Sequence, residues 1–467
     1  MLMSLLARRV TRRSLRPGAG SGAGRTVKPV RPARSIFAGF FLAALIGTGA
    51  LMLPGASTIN GSAAPLDALF TAVSALCVTG LITVDTPVYW TVPGQMVILA
   101  LIQLGGFGVM TFASAVGVTV VRRMSLSTKL RTASETKALG LADLRAMVFS
   151  IVRISLLTEG VVAVMLTARF CLGYGMSFGK AVWNGVFHAV SAFNNAGFAL
   201  FSDSLIGFDD DPLILLPICA AIILGGLGFP VIVQLRRHGG LLRKWSMNTR
   251  IVLVGTAALL VIGAAVLTVI EWSNPATLGP MPWNEKLLNG FTQSVQTRTA
   301  GFNNLDISQM GSASWLVMDA LMFIGGGPAG TAGGIKITTF AVLFFIALAE
   351  VRGDTAVNVF GKRLSRSVHR QAITVILMAI GLIFTSTVLL LLITDFTLDQ
   401  LLFEVISAFA TVGLSTGITA DLPAAGQLIL VALMFLGRLG PITIATALAL
   451  RERKVLYELP KERPIIG

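Results

Sequence analysis

The chain reads as an all-α integral membrane protein built from four tandem units. Each unit is a span, a short re-entrant pore loop and a second span, and the four are expected in a pseudo-fourfold arrangement around a central pore. Three observations predict this class. The 467 residues are 54% hydrophobic and only 13% charged, which leaves too little polar surface to cover a soluble domain. Nearly uncharged stretches recur at 36–54, 94–121, 154–168, 212–235, 251–270, 313–351, 371–394 and 424–450. Most reach the ~20 residues that a helix needs to cross ~30 Å of hydrocarbon, so eight full spans are expected. Third, one small glycine-containing pattern occurs four times along the chain.

The elements follow in order. Residues 1–35 carry nine basic and no acidic side chains, with a Gly/Ala/Ser run and three prolines, and are expected to form a disordered basic arm. An Arg-rich organelle transit peptide is the alternative that composition leaves open. Repeat 1 is expected at 36–124, repeat 2 at 145–237, repeat 3 at 248–352, repeat 4 at 368–452 and a tail at 453–467. The net charge of +15 sits mainly in five segments, 1–35, 122–145, 236–250, 351–370 and 451–467, which hold 30 of the 37 Lys/Arg and 6 of the 22 acidic residues. By the positive-inside rule these segments and both termini face the cytoplasm, so the basic balance is read as topology in a lipid bilayer and not as nucleic-acid binding. Cys77, Cys171 and Cys219 form no C-x-x-C pair, so neither a disulfide framework nor a zinc site is expected.

The repeated pattern is a segment rich in Ala, Phe and Ser followed by a short break: Cys77-Val78-Thr79-Gly80, Asn194-Asn195-Ala196-Gly197, Arg298-Thr299-Ala300-Gly301 and Ala410-Thr411-Val412-Gly413. The glycines are spaced by 117, 104 and 112 residues. Two crossings per unit is an even number, so successive units enter from the same side and are related by rotation about the membrane normal, unlike inverted-repeat transporters. Non-helical backbone at membrane depth persists only where protein or a water-filled path satisfies its polar groups. Four such loops around one axis aim carbonyl oxygens inward, where they replace the hydration shell of a weakly hydrated monovalent cation, as the T-V-G-Y-G loops of potassium filters do. Loops 1 and 4 echo the first three residues of that motif and lack its second glycine, which predicts a shorter filter.

A second irregular stretch is expected at 325–334, where Gly325, Gly326, Gly327, Pro328, Gly330, Thr331, Gly333 and Gly334 cannot remain a regular helix. A break at mid-bilayer in the last span of repeat 3 places backbone in the cavity beneath the loops, as a gate or as a passive kink. Lys336 follows the break and either latches it or snorkels to the cytoplasmic edge. Arg298 is expected to clamp loop 3 from behind, and Asp67 and Glu404 to lend negative potential to an outer mouth.

On these residues the chain resembles the Trk/Ktr/HKT superfamily of potassium uptake proteins, the Ktr type most. Gln103–Gly108 and Leu224–Phe229 are similar to the glycine-rich segments of that family's second spans, and Phe323–Lys336 resembles its intramembrane gating loop. The resemblance covers roughly 36–450. It implies that Arg438, in Leu436–Pro441, faces the pore near the gating loop as an electrostatic barrier; a salt bridge to Asp319 or Glu159 is the alternative. It implies that glycine at 80, where sodium-permeable members carry serine, goes with potassium, and it leaves sodium open as an activating or coupling ion. It further implies a separate cytosolic ring of RCK-type nucleotide-binding subunits as partner, with no nucleotide site in this chain, and a homodimer in the plasma membrane. Catalysis is not expected, since His188 and Ser191 share a helix without an orienting acid. A coupled carrier is the third class, disfavoured by the even number of crossings.

Overall fold

The computed structural model describes the backbone of residues 32–58, 61–123 and 141–449, and the side chains of 37–58, 61–111 and 148–440. Residues 1–31 of the anticipated arm, most of the 122–145 segment and the 453–467 tail lie outside the described residues. The fold is helical: α1 Pro32–Leu51, α2 Pro65–Cys77, α3 Thr86–Tyr89, α4 Val92–Arg123, α5 Leu141–Tyr174, α6 Phe178–Asn194, α7 Pro212–Leu227 and α8 Phe229–His238. It continues with α9 Met247–Glu271, α10 Trp283–Gln296, α11 Ser312–Phe323, α12 Ile337–Arg352, α13 Arg366–Ile393, α14 Leu398–Ala410 and α15 Ala424–Ala449. A two-residue antiparallel ribbon, Asn358–Val359 with Lys362–Arg363, lies between α12 and α13.

Among the described residues, four helices are long and apolar enough to cross a membrane: Val92–Thr111 within α4, Val148–Tyr174 within α5, and all of α9 and α13. Two of the eight expected stretches are interrupted, one of them at the break expected over 325–334. The 212–235 stretch is two helices bent by 97°, because Gly228 adopts φ 91° and Pro230 supplies no amide to continue α7. The carbonyl of Pro328 occupies the space a Cβ on Gly228 would need, so the bend is also locked from outside. The 313–351 stretch breaks between Phe323 and Ile337. The first helix starts four residues earlier than repeat 1 was expected to begin, with Pro32 at its first position, where a missing N–H costs nothing.

The short helices α2, α6, α10 and α14 have 13, 17, 14 and 13 residues. Their starts are fixed locally: Pro65 opens α2, and Thr397 with Gln400 forms a capping box on α14. Each carries a phenylalanine ten residues before its loop glycine, and Phe70, Phe187 and Phe403 are completely buried. Burying each such ring contributes about 1.5–3 kcal/mol. The glycine-rich segments of the following helices let them close on these short helices. A Cβ on Gly105, Gly225 or Gly437 would collide with the carbonyl oxygen of Leu76, Phe193 or Phe409, each four residues before its loop glycine.

Candidate functional site

Three of the short helices end on a left-handed residue that is not glycine: Val78 at φ 56°, Asn195 at φ 59° and Thr411 at φ 51°. Loop 3 reaches the same conformation at Thr299, φ 69°. Two residues later the loop glycine is again left-handed, at φ 91°, 70°, 77° and 98° for Gly80, Gly197, Gly301 and Gly413. A left-handed conformation costs a side-chain-bearing residue roughly 1–2 kcal/mol, and such strain gathers where backbone geometry is used. The amides meanwhile turn back toward their own helices. Thr79 N donates to Ser74 O at 2.8 Å, Ala196 N to Ser191 O at 2.8 Å, Val412 N to Ser407 O at 2.9 Å and Ala300 N to Gln296 O at 3.1 Å.

The four loops meet in a closed cycle. A Cβ built on Gly80 would lie 3.1 Å from Cα of Gly197; one on Gly197, 3.0 Å from Cα of Gly301; one on Gly301, 3.0 Å from Cα of Gly413; and one on Gly413, 3.0 Å from Cα of Gly80. In each case the nearest atom is the carbonyl oxygen just before the next glycine, on Ala196, Ala300, Val412 and Thr79 in turn. A cavity of about 430 Å³ opens on this cycle and is lined by all four glycines together with Asp85 and Asp203. Farther along the chain, burial and then the neighbouring charges of Asp210 and Glu285 raise the pKa of Asp209.

Sequence reasoning missed the side chains that hold these loops. Ser74 Oγ accepts the amide of Gly80 at 3.1 Å and donates to Leu81 O at 2.7 Å, and Ser407 Oγ accepts the amide of Gly413 at 3.1 Å. The signal was present, since serine stands six residues before the glycine in three of the four patterns. Replacing Ser74 with alanine leaves a buried amide unpaired at a cost of about 1–3 kcal/mol. Purified S74A protein is expected to unfold at lower temperature than the parent, whereas S191A, whose hydroxyl has no partner, is expected to match it.

Nine residues before the glycine, His188 Nε2 accepts the amide of Leu200 at 3.3 Å, and Glu404 accepts the amide of Thr416 at 3.0 Å. His188 Nδ1 faces Asn184 O at 2.8 Å, so both ring nitrogens are used and Ser191 is not bonded to either. Glu404 is fully buried and also accepts from Ser415 and Thr419. It ties down the loop that follows Gly413; its expected place at an outer mouth is corrected accordingly. Asp67 accepts from Thr83 at 3.0 Å.

The stretch between α11 and α12 is irregular backbone held from several sides. Gly325 N donates to Ile335 O at 2.8 Å, Gly327 N to Gly226 O at 2.8 Å and Thr331 N to Gly225 O at 3.1 Å. Gly326 accepts from Ile337 N at 3.0 Å. Lys336 Nζ donates to Ala332 O within the stretch, which corrects the snorkelling alternative. Arg438, 3% exposed, donates to Thr331 O. Among the described residues neither Asp319 nor Glu159 pairs with it; Glu159 instead accepts from Gln103 at 3.1 Å and Asn194 at 3.3 Å. Arg298 donates to Gly325 O at 3.1 Å, which joins loop 3 to the irregular stretch. Gly330 packs against Gly225 O, and Gly333 and Gly334 pack against Thr411 and Ala410.

No group of three or more His, Cys, Asp or Glu side chains that could hold a metal occurs among the described residues. Among the described residues, the site brings together four glycines and the backbone carbonyls that precede them.

Comparison with known proteins identifies the family. A family model described as TrkH, cation transport protein, matches residues 40–456. The Ktr system potassium uptake protein B of Vibrio alginolyticus is 37% identical over 434 residues, covering 91% of this chain and 93% of that protein. The potassium/sodium uptake protein NtpJ of Enterococcus hirae is 34% identical over 450 residues, covering 95% and 99%. The crystal structure of the potassium transporter TrkH from Vibrio parahaemolyticus superposes with a TM-score of 0.72 at 17% identity, over 92% of this chain and 86% of that one, and so shares the fold. The chain belongs to the TrkH family of cation transport proteins, within the Trk/Ktr/HKT superfamily, and is similar to its Ktr members.

Proposed function

We propose that this chain is the ion-translocating membrane subunit of a potassium uptake system. Its four repeats, 36–124, 145–237, 248–352 and 368–452, surround a central pore, and their loops form a single-glycine filter. The observation that carries this reading is the closed cycle of Gly80, Gly197, Gly301 and Gly413, each against the carbonyl that precedes the next. Carbonyl oxygens in a ring replace water around a cation that gives up its hydration shell readily. Amides bonded back to their own helices leave those oxygens free for the ion. The acidic cavity outside the cycle concentrates cations before they enter.

The irregular stretch 325–334 is the gate, latched by Lys336 and Arg438, and it moves aside to conduct. The uptake names of the relatives support potassium as the ion, and the potassium/sodium name of the Enterococcus hirae relative supports sodium as a second permeant or activating ion. The word system in the name of the Vibrio alginolyticus relative supports a cytosolic partner, proposed as a nucleotide-binding RCK-type ring, with the membrane subunit a homodimer in the plasma membrane and its basic segments and both termini cytoplasmic.

Growth of an uptake-deficient bacterium on low potassium tests the reading. Expression of this chain with its regulatory partner is expected to restore growth, and Gly80→Ser, which puts a side chain against Ala196 O and Gly197, is expected to weaken it roughly tenfold in half-saturating potassium or to shift uptake toward sodium. Absence of potassium uptake under every partner condition, with membrane insertion verified, would favour an alternating-access carrier for another substrate.

A further inference from the structure

We infer that Arg298 and Asn195 couple the gate to the filter, so that ion selectivity depends on the state of the 325–334 stretch. This deepens the reading above and rests on it. The Arg298 backbone belongs to loop 3, three residues before Gly301, and its amide still donates to Val295 O at 3.0 Å. Its guanidinium, in a side chain only 6% exposed, reaches the first glycine of the irregular stretch, Gly325 O, at 3.1 Å. No acid neutralises it among the described residues, and its other terminal nitrogen has no partner. The Gly325 carbonyl is therefore the one protein acceptor that this buried cation holds, and the two move together or separate at substantial cost.

A second link runs through loop 2. Thr331 Oγ1, at the far end of the same stretch, lies 3.1 Å from Asn195 Oδ1 and 3.2 Å from Phe193 O. Asn195 is the left-handed residue two before Gly197. Its amide nitrogen lies 3.5 Å from Arg298 O and 3.4 Å from Thr299 Oγ1, which ties loops 2 and 3 to each other. Loop 4 is touched as well, since a Cβ on Gly334 would lie 3.2 Å from Cα of Ala410. The stretch thus rests on three of the four loops, and on two of them through side chains one or two residues from the carbonyls of Ala196 and Ala300. When it leaves the ion path, Gly325 O and Thr331 Oγ1 leave with it. Arg298 and Asn195 then lose the partners that tie loops 2 and 3 to the stretch. A filter supported on this side discriminates more sharply than one whose support has gone, so the conducting state is the less selective one.

Arg298 and Asn195 are positioning residues, and the test reads selectivity together with flux. Purified protein in liposomes is assayed for potassium and sodium flux in the parent, Arg298→Lys, Thr331→Val and a variant lacking 325–334. Thr331→Val is nearly isosteric and lies outside the loops, so it reports on coupling even if Arg298→Lys folds poorly. The expected result is that Thr331→Val and Arg298→Lys each raise flux and lower the potassium-to-sodium ratio, by up to roughly tenfold for the lost charge-assisted bond. The deletion is expected to do both, and Arg298→Lys to add no further change in ratio on top of it. Raised flux at an unchanged ratio overturns the coupling alone. A ratio change from Arg298→Lys that persists in full in the deletion background also overturns it, because Arg298 would then act on loop 3 without the gate. Unchanged flux in the deletion overturns the gate itself, and the coupling with it.

Discussion

Alanine at Gly301 is expected to stop potassium transport. Gly301 has φ 77°, a conformation that costs alanine roughly 1–2 kcal/mol by itself. The added methyl would also lie 3.0 Å from Cα of Gly413, with Val412 O closer still, and both of those atoms are backbone that cannot rotate away. Loop 4 has to shift, and the shift moves one of the four carbonyls on which the proposed filter depends. Because an ion site built from several carbonyls needs all of them at coordination distance, displacing one is expected to reduce potassium influx by about 100-fold, equivalent to ~2.7 kcal/mol at the barrier. Influx measured in cells and normalised to membrane abundance checks this. Gly381→Ala, on α13 with nothing near its Cβ position, serves as the control that retains transport. Influx from G301A within a few-fold of the parent would remove loop 3 from the ion path.

Arg438→Ala is expected to act in the opposite direction and raise flux. The guanidinium is buried, donates to Thr331 O, and leaves its Nε and second terminal nitrogen without partners. A hydrogen bond from a charged donor is worth about 1.5–3 kcal/mol, which corresponds to roughly 10–150-fold in the ratio of latched to unlatched gate. On the proposed reading, removing the charge also removes electrostatic repulsion of a cation passing beneath the loops. Single-channel or liposome flux at fixed protein amount is the measurement, with Arg438→Lys, which keeps the charge and loses the planar fork, expected to fall between. Reduced thermal stability with no rise in flux would assign Arg438 to packing alone.

Much of this architecture was readable from the residues, and the exceptions have physical causes. The four glycine patterns and the break at 325–334 are local signals: a run of glycines with a proline cannot stay helical in any surroundings. The left-handed Val78, Thr299 and Thr411 were not readable, because β-branched residues disfavour that conformation and only the packing of neighbouring loops imposes it. Helix α7 makes the same point. It contains Pro217 and continues past it, yet the chain turns by 97° at Gly228. Both positions carry a helix breaker, and what separates them is Pro328 O, seated where a side chain on Gly228 would be. Glu404 misled for a different reason. A carboxylate near a membrane surface is expected to face water, but here three donors from a single loop enclose it.

The cycle of glycines belongs to one polypeptide, and that has a consequence for how the ring can vary. In a ring of four identical subunits each codon change is repeated in every quadrant, and small adjustments are multiplied. Here a substitution alters one quadrant and leaves three as they were. The quadrants have already diverged: Ser74 and Ser407 hold two of the glycines, Ser191 holds none, and the third quadrant has Val295 at that place. The third quadrant is also the one that carries a buried arginine and is followed by a broken helix. If the ring is the proposed filter, a gene of this kind can specialise one quarter of it for control while the remaining three keep the ion's surroundings nearly symmetric.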